Sequence, residues 1–200
     1  MMKKKTIVLI SILFIVTAAY SFTYSQETGS FTDPRDGRVY RTVKIDDREW
    51  MAENLAFKTE SGYSVYDNVR DYEKTHGYLY TWEVATKACP DGWHLPSMQE
   101  WWFLSNSLGG DEQSGGKLKQ AGTASWASPN TGATNSSGFT ALASGSGNDK
   151  AMEHFGKTTF FWTNVDDDDA TSWCGALYHD RADLALYPVE KKNGFSVRCL

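Results

Sequence analysis

At 200 residues and a formal charge of −5, the chain is the size of one domain and too acidic for a polyphosphate partner, because nucleic-acid binding needs a basic footprint. Eight Trp, ten Tyr and ten Phe stand beside seventeen Gly. Bulky rings among many glycines point to a loop-rich fold pinned by aromatic anchors, and away from a helical bundle.

Lys3, Lys4 and Lys5 precede an apolar run from Ile7 to Val16, broken only by Ser11, and then Thr17, Ala18 and Ala19. This is the three-part layout of a secretory signal peptide, cleaved after Ala19 or after Ser25. The run is shorter than the ~20 residues that cross a bilayer. Residues 1–25 are therefore read as signal, 26–30 as a short leader and 31–200 as the domain. A secreted, cell-surface or periplasmic location follows, with no membrane insertion once the signal is gone. No cysteine near the junction offers a lipid anchor.

Phe31–Asp33 reads as an edge strand, and Asp33-Pro34-Arg35-Asp36-Gly37 as a turn. Val39, Arg41, Val43 and Ile45 alternate with Tyr40, Thr42 and Lys44, which predicts a strand whose buried face is ambiguous because Tyr40 is large. Asp46-Asp47 turns it into a second arm, Arg48–Met51, with Trp50 and Leu55 as core anchors. Phe57–Tyr78 reads as loops, with turns at Ser61-Gly62, Asp67-Asn68 and His76-Gly77. A short helix is expected over Thr81–Ala88. Ser97 and Glu100 form a capping box, so a helix starts at Met98 and runs to about Leu108, with Trp101 on its apolar face. Gly109–Gly116 reads as a flexible turn. Thr123–Asn148 reads as an ordered long loop held at Trp126, Phe139 and Leu142. Strands follow at Thr158–Val165, Ala170–His179, Leu184–Val189 and Phe195–Leu200. In the last, Phe195, Val197 and Cys199 point inward by period two. The opening hairpin is expected to pair against this closing strand.

In an oxidising compartment Cys89, Cys174 and Cys199 should pair, but three cannot all do so within one chain. Cys89 with Cys199 is the expected bridge. Cys174 is left as a buried small hydrophobe beside Trp173, or as an intermolecular link.

Asp166 to Asp169, with Asn164 nearby, present oxygens of the kind calcium takes. Asn164, Asp166 and Asp168 are the candidate ligands, and calcium the candidate cofactor. Against this, the run lacks the spacing of a helix-loop-helix calcium loop, adjacent residues cannot all face one ion, and the run reads first as a solvated acidic turn. His94, between Trp93 and Leu95, is expected to be a partly buried, hydrogen-bonded ring; His76 and His154 are expected at the surface. No Ser-His-Asp order, zinc-like spacing or phosphate-cradling loop is present. Aromatic faces that stack on sugars are a better lead. Tyr63, Tyr66, Tyr72, Trp126 and Tyr178 are the candidates, each with the alternative of anchoring a loop.

Phe31 to Ile45, Trp50-Met51-Ala52-Glu53-Asn54-Leu55, Gly77-Tyr78-Leu79-Tyr80, Ala88 to Ser97 with Glu100-Trp101, Gly138 to Leu142, Phe161-Trp162-Thr163 and Gly194 to Cys199 together resemble the Fibrobacter succinogenes major paralogous domain family. The resemblance implies secreted or surface proteins of Bacteroidetes and Fibrobacteres. More distantly, Leu95 to Trp101 and Gly194 to Cys199 are similar to motifs of C-type-lectin-like folds, which include the formylglycine-generating sulfatase-modifying enzymes. That implies an α+β fold of small antiparallel sheets, two short helices and long irregular loops. Those enzymes hold copper on two cysteine thiolates, a pair absent here once Cys199 is bridged. The expectation is a non-catalytic binding module with an extracellular glycan or protein as ligand. The rivals are a structural or adhesive surface protein and a modifying enzyme of the formylglycine-generating type, the latter disfavoured by the missing cysteine pair.

Overall fold

A computed structural model describes residues 26–66, 69–148 and 151–200. The expected signal segment and the Asp67-Asn68 turn lie outside the described residues. In chain order the elements are β1 (Thr28–Thr32), β2 (Val39–Ile45), β3 (Arg48–Met51), β4 (Tyr63–Ser64), α1 (Tyr72–His76), β5 (Leu79–Tyr80), α2 (Trp82–Ala88), α3 (Met98–Ser107), α4 (Asp111–Leu118), β6 (Ser146–Gly147), β7 (Met152–Glu153), β8 (Thr158–Asp166), β9 (Thr171–Tyr178) and β10 (Ala185–Glu190). Two three-stranded sheets, β1-β2-β3 and β10-β9-β8, and two short pairs, β4-β5 and β6-β7, are all antiparallel. The class is α+β, as expected.

The ambiguity in β2 has a physical answer. Tyr40 and Thr42 are buried, then Val43 and Ile45, so the alternation slips by one residue mid-strand. Tyr40 enters one core and Val43 and Ile45 the other. The leader expectation is corrected: Thr28 to Ser30 pair with Val43 to Arg41 as part of β1. Thr28-Gly29-Ser30 has no apolar alternation, so its strand comes from the free edge of β2 and not from its own side chains.

Helix α3 begins as its capping box requires. Glu100 N–H donates to Ser97 Oγ at 3.3 Å, and Ser97 N–H donates back to Glu100 Oε2 at 2.7 Å. Trp101 and Leu104 are buried beneath it. Four helices stand among the described residues where the sequence predicts two. The unforeseen α4 contains Gly115-Gly116, a pair that disfavours helix by ~1 kcal/mol each. Their role is close approach: a Cβ on Gly115 would lie 2.0 Å from the Asp183 carbonyl oxygen, and one on Gly116 2.3 Å from that of Gly132.

Two large aromatic-rich cores result among the described residues, with a small third cluster of Tyr66, Tyr72 and Leu79. The first is built on Trp50, Trp101, Phe139 and Phe161, with ring centroids 5.2–5.9 Å apart. The second joins Tyr40, Leu55, Tyr80, Trp162 and Val197. The long loop is anchored at Trp126 and Phe139 as expected. Its third anchor is shifted by one residue, since Ala141 and Ala143 are buried while Leu142 is half-buried.

The closing segment is not a regular strand. Phe195 bridges Tyr80 and Ser196 bridges Phe161. Leu55 N–H donates to Val197 O at 2.9 Å and Met51 N–H to Cys199 O at 3.0 Å, so the tail does meet the opening hairpin. Phe195, Val197 and Cys199 enter the second core. Ser196 and Arg198, on the alternate positions, are buried too. The Arg198 guanidinium donates to Asn54 Oδ1 (2.6 Å) and to the carbonyls of Met51 (2.9 Å), Phe139 (2.6 Å) and Thr140 (3.1 Å). Burial pulls its pKa down to about 9, still a cation at neutral pH, and these four oxygens take the place of water. Cys89 and Cys199 form the expected disulfide, and Cys174 is free and buried.

Candidate ligand-binding cleft

The stretch from Cys89 to Glu100 builds the wall of a cleft. Gly92, at φ +85°, lets the chain reverse after Asp91, and Trp93 N–H closes the turn on Pro90 O at 2.9 Å. Leu95 is buried in the second core, so the alternating backbone sends His94 outward. His94 and Leu200 exchange backbone hydrogen bonds of 2.9 and 3.0 Å, which hold the tail beside this wall. Facing it, β1 supplies Phe31, whose ring packs on Trp93 at 5.1 Å, and β3 supplies Arg48 and Glu49. The cleft is an open groove with a volume of about 480 Å³.

The polar groups of the cleft are linked to the fold. His94 Nε2 meets Glu100 Oε1 at 2.9 Å, while Glu100 Oε2 accepts from both the N–H and the hydroxyl of Ser97 at 2.7 and 2.9 Å. Burial would raise the Glu100 carboxyl, but the bonds from Ser97 and His94 reverse that and hold it below the usual carboxylate range. Glu49 Oε1 accepts from the Thr42 hydroxyl at 2.6 Å. The His94 ring is hydrogen-bonded as expected, but it is exposed and not partly buried.

Three of the five aromatic candidates are corrected. Tyr66, Tyr72 and Trp126 are buried and offer no face to a ligand. Their polar tips explain why burial is tolerated: Tyr72 OH donates to Ser144 O at 2.6 Å, Tyr66 OH to Ser146 O at 2.9 Å and Trp126 Nε1–H to Ala141 O at 2.8 Å. Tyr63 is half-buried, edge-on to Tyr78 at 4.9 Å, in a smaller cleft with Gly62, Thr81 and Lys192. Tyr178 is half-buried, with its hydroxyl 2.5 Å from that of Tyr187. The structure thus does not gather the five. Ser97, Glu100 and Trp101 serve the helix as read, and Glu100 in addition faces the cleft.

The aspartate run already holds a cation from its own chain. Lys191 Nζ lies 2.5 Å from Asp166 Oδ1 and donates to Asp168 O at 2.6 Å, with the Trp82 ring 4.6 Å away. Asp168 Oδ1 is taken by the amides of Ala170 and Thr171 at 2.8 and 2.7 Å, and Asn164 is exposed. Among the described residues no group of three or more His, Cys, Asp or Glu is placed to hold a metal.

Trp93, Phe31 and Arg48 are the cleft residues that sequence reading missed. A Trp-His pair directly after an Asp-Gly turn and before a buried Leu was the available signal. Arg48 gave none, since apart from Glu49 its neighbours in the cleft are distant in sequence.

The architecture and cleft define an α+β domain of small antiparallel sheets, tied by one disulfide, with an aromatic-walled groove. The chain belongs to the Fibrobacter succinogenes major domain family, whose model matches residues 43–200. Strand β1, with Phe31, precedes the matched stretch. No curated protein and no solved structure matches the chain.

Proposed function

We propose that the chain is a non-catalytic binding module, secreted or at a cell surface, and that the cleft between β1, β3 and the Trp93-His94 wall takes a glycan. The observation that carries this is the Phe31–Trp93 ring pair set beside hydrogen-bonding groups in one concave site. Ligand sites combine apolar walls with a few placed polar groups, and a sugar ring presents both kinds of surface. Kinship with the C-type-lectin-like fold is part of the reading. The meeting of residues 51–55 with 197–199 and the long loop before β6 support it.

The enzymatic rival needs two thiolates. Cys89 and Cys199 are bridged, and burial pushes the Cys174 thiol far above its ordinary range. A glycan array, followed by calorimetry on its best ligand, tests the binding reading. Trp93→Ala is expected to weaken binding at least tenfold, about 1.4 kcal/mol, and to lower the melting temperature as well, because Trp93 also packs against the second core, so binding is compared well below that temperature. Absence of any glycan signal, or a Trp93→Ala affinity equal to wild type, would refute it and favour a protein partner or a structural role.

A further inference from the structure

The charged groups of the cleft are unequal. Glu100 is engaged by Ser97 and by His94, and Glu49 by Thr42. Arg48 alone has a side chain without a hydrogen bond or an ion pair inside the described fold. Its partner among the described residues is the Phe103 ring, with the guanidinium carbon 4.8 Å from the ring centroid. Phe103 is itself 40% exposed and meets Trp102, 52% exposed, at 5.2 Å. These rings point away from the core that Trp101 and Leu104 enter from the same helix. Of the exposed pair, Phe103 is the ring that supports the guanidinium.

Stacking occupies the face of a guanidinium and leaves its in-plane N–H fork unused. That fork matches two anionic oxygens held in a plane, and such charge-assisted bonds are about twice as strong as neutral ones. The two carboxylates nearby sharpen the choice. Glu49 and Glu100 disfavour an anion beside them, which leaves Arg48 as the group in the cleft that would receive a ligand's anionic substituent. The ligand's neutral hydroxyls would then fall to Glu49 and His94, and its ring face to Trp93 and Phe31.

We propose that Arg48 is the specificity-determining residue of the cleft and that the ligand is an acidic glycan, one whose sugar carries an anionic group. The inference rests on the reading of the cleft as a glycan site. Uronate carboxylates and sulfate esters share the required chemistry.

The test is an array holding uronate-bearing, sulfated and neutral oligosaccharides, probed with the wild-type chain, Arg48→Gln and Trp93→Ala, each first shown by circular dichroism to be folded at the array temperature. Wild-type signal should concentrate on the anionic classes. Arg48→Gln should lose about tenfold on them and keep the weak neutral signal. Trp93→Ala should lose both. Signal on uronates alone or on sulfates alone identifies the source of the charge and upholds the assignment. Wild-type signal confined to neutral sugars, or an Arg48→Gln profile equal to wild type, overturns it while leaving the glycan reading in place. Silence on every class overturns the glycan reading itself.

Discussion

His76 is stacked on Tyr72 at 5.0 Å and edge-on to Phe155 at 5.1 Å. Its Nδ1 meets the Thr75 hydroxyl at 2.7 Å, and its Nε2 is buried with no partner. Burial lowers its pKa from 6.5 to about 4. The unfolded chain therefore takes up this proton as pH falls through 6.5, while the folded chain resists until about 4. Stability is lost across that window on acidification. His76→Phe is expected to flatten the fall in melting temperature between pH 7 and 4.5, and thermal scans at several pH values read it directly. Parallel curves for the two proteins would contradict the assignment. Sequence reading placed His76 at the surface because it did not find α1, and only on that helix do Tyr72 and His76, four apart, share a face. The same limit applies to Tyr66, Tyr72 and Trp126. An aromatic type is legible in a sequence, but whether its polar tip reaches a carbonyl depends on which loop folds over it.

At the scale of elements, local signals were sufficient where local physics decides. The capping box at Ser97 announced α3, and the alternation of Val39–Ile45 announced its hairpin. Helix α4 shows the converse. Propensity alone says that Gly115→Ala should stabilise a helix by ~1 kcal/mol. The Asp183 carbonyl, 2.0 Å from where that methyl would sit, reverses the sign. We expect Gly115→Ala to cost about 2 kcal/mol or more, because the helix must lift from the Ala182–Asp183 turn it packs on. Urea denaturation measures this, and a stabilised variant would show that α4 does not dock as described. The reason for Gly115 lies some seventy residues downstream, which is why the stretch read as a flexible turn. The cleft was illegible for a related reason: α3's motif was visible, but Phe31 and Arg48 reach it from strands whose own patterns speak only of pairing.

For the molecule as a whole, the disulfide closes a span of 110 residues. Loop-entropy arguments put its contribution at ~4–5 kcal/mol, dependent on the model used. Replacing both Cys89 and Cys199 by Ala should lower stability by roughly that amount, and should also weaken glycan binding, because Leu200 and His94 lose their tether. Chemical denaturation and calorimetry on one preparation separate the two effects. A fully stable double variant would show that Arg198 and the backbone bridges hold the tail unaided. The covalent tie was legible from three cysteines. The burial of Ser196 and Arg198 between them was not, since polar residues at alternate positions read as a solvent face. The tail's position also orders events in time. Residues 195–200 supply groups to both large cores and to the cleft, and they are made after every element they join. A nascent chain halted before Phe195 should remain open and protease-sensitive, however much of its secondary structure has formed.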